Sequence, residues 1–464
     1  MADWGTMNRH HFLWIGPAAA LASFFALQAA DLAYAPAATA AVTLLTVIWW
    51  VSEALPIPAT SIIPFALLPL VGVIDHQDVA NALGSHVIVL LMGAFMLSKA
   101  LERSGVHRRL AIGMVTLVGT HSARRLLFGF MIASAVLSMW ISNTATTLIL
   151  LPIALAVLEK VDNRRLRAAL VLGIAYAASI GGVGTPVGTP PNVIFMGIYE
   201  EVTGRSFGFL EWMQIGVPVV LAALPVAALW LSRGLKLERD LEIPEAGPWR
   251  PEERRMLIAF GLTILAWITR SEPFGGWSGL FGVEGVGDST VALAAVIAMF
   301  LIPNGRGSRL LDWPTANAIP WGMLLLFAGG IAIAKAFVSS GLSQLMGDWL
   351  ASLAGMPILL LLIVVCLMVT YLTEITSNTA TSTLLMPILA AAAVGAGLEP
   401  QLLMIPAAIC ASCAFMLPVA TAPNAIAFGS GEVSMPEMVR QGAVLSFVVA
   451  LLVAVICRWL LAPG

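Results

Sequence analysis

Long apolar runs fill almost the whole chain, and the few polar positions inside them are not scattered. As segments able to cross a bilayer, or to enter it and return, the runs cover residues 12–30, 37–54, 57–75, 87–102, 124–158, 167–202, 211–232, 256–270, 288–303, 319–338, 357–394, 401–430 and 436–460. A spanning helix needs about 20 apolar residues. Two of the runs, 124–158 and 357–394, exceed one crossing and are interrupted midway by the same polar tripeptide, Ser142-Asn143-Thr144 and Ser377-Asn378-Thr379. Backbone that leaves a helix at such depth is tolerated only where protein or a water-filled cavity satisfies it. Each run is therefore expected to be a re-entrant helical hairpin with the tripeptide at its tip, which leaves eleven crossings.

The tripeptides belong to a longer repeat. Ala145-Thr146 and Ala380-Thr381 follow them, then Pro152 and Pro387, all at an offset of 235 residues. Upstream, Leu97-Ser98-Lys99-Ala100 with Ser104-Gly105 matches Ile333-Ala334-Lys335-Ala336 with Ser340-Gly341 at 236, and downstream Gly188-Thr189-Pro190-Pro191-Asn192 matches Ala420-Thr421-Ala422-Pro423-Asn424 at 232. Four landmarks in one order indicate a duplicated unit, and such a duplication in an apolar chain is the usual sign of a secondary transporter. The expected division is an N-terminal helix over 1–35, a first repeat over 36–235 and a second over 236–464. Each repeat carries its hairpin and then a helix broken by the Pro-Asn motif, over 167–202 and 401–430.

Composition sharpens the class. The 464 residues are 59% hydrophobic and 11% charged, whereas soluble domains average about 25% charged. This is an all-α polytopic membrane protein, expected in the cytoplasmic (inner) membrane, and nothing in it supports a nucleic-acid partner. The first apolar run, from Phe12 to about Ala30, is too long for the core of a signal peptide and is read as a span.

Charge gives the orientation. With the N-terminus inside, nineteen Lys and Arg fall on the cytoplasmic side, among them Arg103, Arg108, Arg109, Arg124, Arg125, Lys160, Arg164, Arg165, Arg167 and six from Arg233 to Arg255. The other face receives Arg205, Arg270 and Arg458, with Lys99 and Lys335 near segment ends. That asymmetry obeys the positive-inside rule and places the C-terminus outside. The first hairpin lies between two basic loops and should enter from the cytoplasm. The second lies between loops without Lys or Arg and should enter from outside. The repeats are thus expected to be inverted, an arrangement that puts a binding site near the midplane.

At each tip, Ser, Asn and Thr are good caps for the descending arm, whose first turn exposes N–H groups and partial positive charge suited to an anion. The ascending arm ends there with unpaired carbonyls, which suit a small hard cation. Gly181-Gly182 and Gly184 precede no Gly-Lys-Ser/Thr, so a nucleotide loop is not indicated. The six histidines show no ligand spacing, and Cys410-x-x-Cys413, like Cys366 and Cys457, sits in apolar sequence. No nucleophile–base set at depth suggests an enzyme. Because no Arg or Lys lies in the four motifs, a bound anion is neutralised by hydroxyls, amides, helix ends and co-bound cations, which favours sodium coupling. Glu374, beside the second tip where the first has Met139, is either a buried structural acid or a tuner of cation binding.

These paired motifs resemble the divalent anion/sodium symporter family, the bacterial dicarboxylate transporters also called INDY, over nearly the whole chain. The resemblance implies a homodimer with a scaffold domain and a transport domain that moves as an elevator. It implies one sodium at Ser138, Ser142, Asn143 and Gly188, and a second at Thr373, Thr376, Asn378 and Ala420, partly through backbone carbonyls. Substrate carboxylates would meet Asn143, Thr144, Thr189, Asn378, Thr379 and Thr421. Thr421 looks like the dicarboxylate version of the site, while Ala422, where the first repeat has Pro190, departs from the pattern and leaves the preferred carboxylate open. The implied activity is sodium-coupled symport of C4-dicarboxylates such as succinate, malate and fumarate. A sodium-independent exchanger, a citrate carrier and a sulfate carrier are the alternatives.

Overall fold

The computed structural model describes residues 4–119, 121–159, 163–235, 243, 246–272, 275–283, 285–350 and 356–461. Lys160, Lys236 and Arg239, counted above toward the basic face, lie outside the described residues. Among the described residues the regular structure is helical, with one isolated bridge between Pro303 and Arg309. Among the described residues, eight helices are long and apolar enough to cross a membrane. Shorter apolar helices, such as Asp288–Leu301, accompany them.

Helix length alone does not fix the number of crossings. The run expected as one span over 57–75 is two helices, Ile57–Thr60 and Ile63–Leu70. Pro58, Pro64 and Pro69 each lack the N–H a continuous helix needs, which explains the division. Both arms of the second hairpin, Ile358–Ile375 and Asn378–Gly395, are 18 residues long and so count among these eight by length and composition alone.

The hairpins form as the polar interruptions dictate. Ala123–Ser138 and Asn143–Val157 make the first, and Ser142 ends the turn by accepting the Ala145 N–H on its hydroxyl at 3.2 Å. Ser377 does the same for the second with the Ala380 N–H at 3.1 Å. In both, the Asn is the first residue of the descending arm. A serine cap of this kind contributes about 1 kcal/mol by satisfying one orphan donor.

The broken helices run antiparallel to each other. The first is Arg164–Gly182 followed by Pro190–Thr203, and the second Gln401–Ser412 followed by Ala422–Gly429. The first half of each packs on the second half of the other. Arg167, at the start of the first, holds Glu432, just past the end of the second, through Nε at 2.9 Å and Nη2 at 2.5 Å. That pairing keeps the Glu432 carboxyl below the usual carboxylate range. The helices Phe209–Leu231 and Met435–Leu461 complete this body against the hairpins.

The remaining helices lie beside it. His86–Ser104 packs on Asp288–Leu301, and Trp321–Ser339 packs on the short helices of residues 57–83. Lys335 bridges to Glu201 at 3.1 Å and approaches Asp78 at 3.8 Å, which ties Trp321–Ser339 to the second half of the first broken helix.

Candidate functional site

Both tips and both helix breaks meet at one cavity of about 500 Å³. Its wall includes all six residues expected to meet substrate: Asn143, Thr144, Thr189, Asn378, Thr379 and Thr421. Ser142, Gly188 and Ala420, expected at the cations, line it too, whereas Ser138 and Thr373 are fully buried behind it and the half-buried Thr376 is not part of the wall.

The same construction appears twice. In the first repeat the Ser138 hydroxyl donates to Asn143 Oδ1 at 2.5 Å, and in the second the Thr373 hydroxyl donates to Asn378 Oδ1 at 2.8 Å and is 3.0 Å from the Ala411 carbonyl. Each arm of the hairpin thereby fixes the amide that faces the cavity. The Pro-Asn motif then holds the break. Asn192 Nδ2 donates to the carbonyls of Gly182 and Thr185 at 3.0 and 2.7 Å, and Asn424 Nδ2 donates to those of Ala414 and Leu417, both at 3.1 Å. A buried carbonyl freed from a helix must find a donor, and one side chain here serves two. Sequence reading took these asparagines as part of a helix stop and missed their clamping role.

Around Gly182 the packing brings oxygens from three segments together. A methyl group there would stand 2.7 Å from Asn143 Oδ1 and 3.1 Å from the Gly188 carbonyl oxygen, and one on Gly188 would stand 2.9 Å from the Ser138 carbonyl oxygen. Oxygens of this kind are what a small hard cation takes. In the second repeat Thr376 uses its hydroxyl within its own hairpin, at 2.9 Å from the Leu372 carbonyl and 2.5 Å from the Thr381 hydroxyl.

The threonines at the breaks face the same space. Thr421 caps Ala422–Gly429 by accepting the Asn424 N–H at 3.2 Å, so its own O–H stays available to donate. Thr189 is buried and accepts a hydrogen bond from the Ser412 hydroxyl at 3.3 Å, which links the two repeats. Ala422 is an exposed residue in the wall, at the place where the first repeat presents Pro190.

Glu374 is a structural anchor. Its carboxylate accepts the backbone N–H groups of Phe415, Met416 and Leu417 at 2.7–3.1 Å and the Ser446 hydroxyl at 3.1 Å. The second break is thus held by a carboxylate. The first is held by the Thr185 hydroxyl on the Met139 carbonyl and by Trp212 Nε1 on the Val183 carbonyl at 2.8 Å. Glu374→Leu should therefore lower stability by a few kcal/mol, since one buried N–H group, that of Phe415, and two half-buried ones lose their acceptor, at about 1–3 kcal/mol for a fully buried donor. Thermal unfolding in detergent checks this, and an unchanged midpoint would show that the anchor is dispensable.

The wall also carries a charge pair of which the sequence reading used only Lys99, as a repeat landmark and in the charge count, and did not name Glu102. Lys99 and Glu102, on His86–Ser104, line the cavity and pair at 2.8 Å. A lysine within an apolar helix was the signal available; which surface it faced was not. Trp140, in the first tip, also lines the cavity and packs edge-on against Phe260 with ring centres 5.6 Å apart.

Comparison with known proteins places this arrangement. The family model CitMHS, described as "Citrate transporter", matches residues 47–404. The sodium-dependent dicarboxylate transporter SdcS of Staphylococcus saprophyticus is 38% identical over 449 residues, covering 91% of this chain and 86% of that protein. Its namesake in Staphylococcus aureus strain MRSA252 is 37% identical over 475 residues, covering 97% and 90%. The chain belongs to the divalent anion/sodium symporter family. Members of this family matched here are transporters and not enzymes. The fold also resembles the Alcanivorax borkumensis YdaH transporter, with a TM-score of 0.60 at 14% identity over 90% of this chain and 98% of that one. Neisseria gonorrhoeae MtrF gives 0.58 at 15%, over 84% and 83%.

Proposed function

We propose that this protein is a sodium-coupled symporter of C4-dicarboxylates such as succinate, malate and fumarate, resident in the cytoplasmic (inner) membrane. The observation that carries the reading is the convergence of both Ser-Asn-Thr tips and both break threonines on one cavity. A dicarboxylate has two anionic ends, and the duplicated site offers each end a descending-arm N-terminus, an amide and hydroxyls. The one cation in the wall, Lys99, is already paired with Glu102. Co-transported sodium then supplies the balancing charge. One ion sits among Ser138, Ser142, Asn143 and Gly188, the other among Thr373, Thr376, Asn378 and Ala420. The names of the relatives, sodium-dependent dicarboxylate transporters, support the same cargo and ion.

The motion we propose is an elevator. The hairpins, broken helices, Phe209–Leu231 and Met435–Leu461 form the mobile body, and the other helices form a scaffold that pairs with a second copy of the chain. Alternating access then carries the cavity past Lys99 and Glu102 on the fixed wall.

The deciding experiment is uptake of labelled succinate into proteoliposomes with an inward sodium gradient, and with choline in place of sodium. Uptake should vanish in choline. Apparent succinate affinity should rise with sodium, and succinate should raise sodium affinity by the same factor, as linkage requires. Undiminished uptake in choline would overturn the sodium coupling and favour exchange. The description of the family model gives citrate a specific claim as second cargo. Unlabelled citrate that competes as well as succinate would shift the preferred substrate while leaving the site in place.

A further inference from the structure

A second built cavity, of about 670 Å³, opens between the start of the first broken helix, the end of Phe209–Leu231 and the last helix. Arg165 and Arg440, from the first and last of those helices, and Arg233, just past the end of Phe209–Leu231, line it against the single carboxylate of Glu437. Among the described residues no ion pair within 4 Å is formed by any of the three arginines. Arg233 lies over the Trp230 ring at 3.2 Å from its centre and donates Nε–H to the Trp230 carbonyl at 3.0 Å. Trp230 Nε1 is buried and has no hydrogen-bond partner among the described residues.

Directly beside it runs an apolar groove of about 280 Å³ that shares Trp230, Arg233 and Val444 and continues along Val226, Leu229 and Val448. Leu229 is 65% exposed, so no other described residue covers this apolar face. Three like charges held in one concavity repel one another and call for an anion. A groove that beyond Arg233 and Trp230 is lined by aliphatic side chains alone, leading away from the arginines over an exposed apolar surface, calls for a hydrocarbon chain.

We propose that this is a binding site for an anionic phospholipid. The phosphate is held among the guanidiniums of Arg165, Arg233 and Arg440, and one acyl chain lies in the groove. Guanidinium forks match phosphate oxygens in charge and geometry. Basic pockets between membrane helices on the positive side are suited to anionic headgroups, and Trp230 sits where an aromatic belt residue is expected. A free phosphate would satisfy the arginines and leave the groove without purpose.

Native mass spectrometry of the full-length protein in detergent tests this, with phosphatidylglycerol, phosphatidylcholine and inorganic phosphate added separately. Phosphatidylglycerol should remain bound, and neither phosphatidylcholine nor phosphate at the same concentration should displace it. The variant combining Arg165→Gln, Arg233→Gln and Arg440→Gln should lose affinity by roughly a hundredfold, because three charge-assisted contacts to the phosphate go together. A charge-matched control, Arg124→Gln with Arg125→Gln and Arg254→Gln, should retain the lipid. Should the triple variant fail to fold, Leu229→Gln with Val448→Gln leaves the arginines intact and should weaken phosphatidylglycerol without changing any response to phosphate. Equal retention by the triple variant and the control would overturn the proposal. So would displacement of the lipid by inorganic phosphate.

Discussion

Asn143→Ala and Asn378→Ala should each bring sodium-driven succinate uptake to background while the protein still elutes as a folded species. Each amide oxygen is fixed from the ascending arm, by Ser138 or by Thr373, and the rest of the amide is left to face the cavity. In the proposed site, removing it deletes one acceptor offered to a cation and one donor offered to a carboxylate, and it strands the hydroxyl that held it. Hydrogen bonds to charged groups contribute about 1.5–3 kcal/mol each, so the combined loss of roughly 3–6 kcal/mol corresponds to about two to four decades in the coupled binding of ion and substrate. Folding should change little, because Ser142 and Ser377, not the asparagines, cap the descending arms. The measurement is labelled uptake in proteoliposomes beside size-exclusion profiles of the same preparations. Uptake by either variant at the parent's rate would remove that asparagine from the site. Loss in one variant only would show that the two halves are not equivalent.

The site was legible in the sequence because it breaks the chain's own pattern. A Ser-Asn-Thr triplet in an apolar run is conspicuous once, and its recurrence at an offset of 235 with a Pro-Asn break downstream pairs four segments without any structure. The six residues that the family resemblance implied for substrate do line one cavity, together with parts of all four of those segments. The structure adds deeper symmetry that residue identity conceals. Gly182 and Thr185 correspond to Ala414 and Leu417, yet each pair serves as the acceptors of the same clamping asparagine. Backbone carbonyls do this work, and carbonyls leave no mark in a sequence.

Elsewhere the apolar pattern underdetermines the fold. The run over 57–75 has the length of a span but folds as two short helices, since periodicity and hydropathy do not register where prolines remove donors. Lys99 and Lys335 occupy equivalent places in the repeat and do different things. Lys99 lines the cavity beside Glu102, whereas Lys335 joins Glu201 and Asp78 away from it. Which surface a helix presents is settled by its neighbours, and one sequence does not name them. Glu374 was open between two roles for the same reason, and three backbone donors from the second break decide it.

Gly182→Ala should raise the sodium concentration for half-maximal transport by roughly tenfold or more, an effect of about 1.4 kcal/mol or greater. The added methyl would lie 2.7 Å from Asn143 Oδ1 and 3.3 Å from Asn143 Nδ2, with the Gly188 carbonyl oxygen next at 3.1 Å. Its collision is with the amide proposed to hold the first ion and not with a neighbouring helix backbone, so the side chain must swing away from Ser138. Gly188→Ala is a blunter change, because its methyl meets the Gly182 carbonyl oxygen at 2.4 Å and forces main chain apart. Gly113→Ala, with nothing within 4 Å of the added carbon, is the control that absorbs any general effect of replacing a helical glycine. Succinate affinity at saturating sodium should recover in Gly182→Ala, since excess ion compensates for a weakened ion site. A variant whose sodium dependence matched the parent's would place the first cation away from Gly182. A variant whose defect persisted at saturating sodium would instead assign Asn143 mainly to the carboxylate.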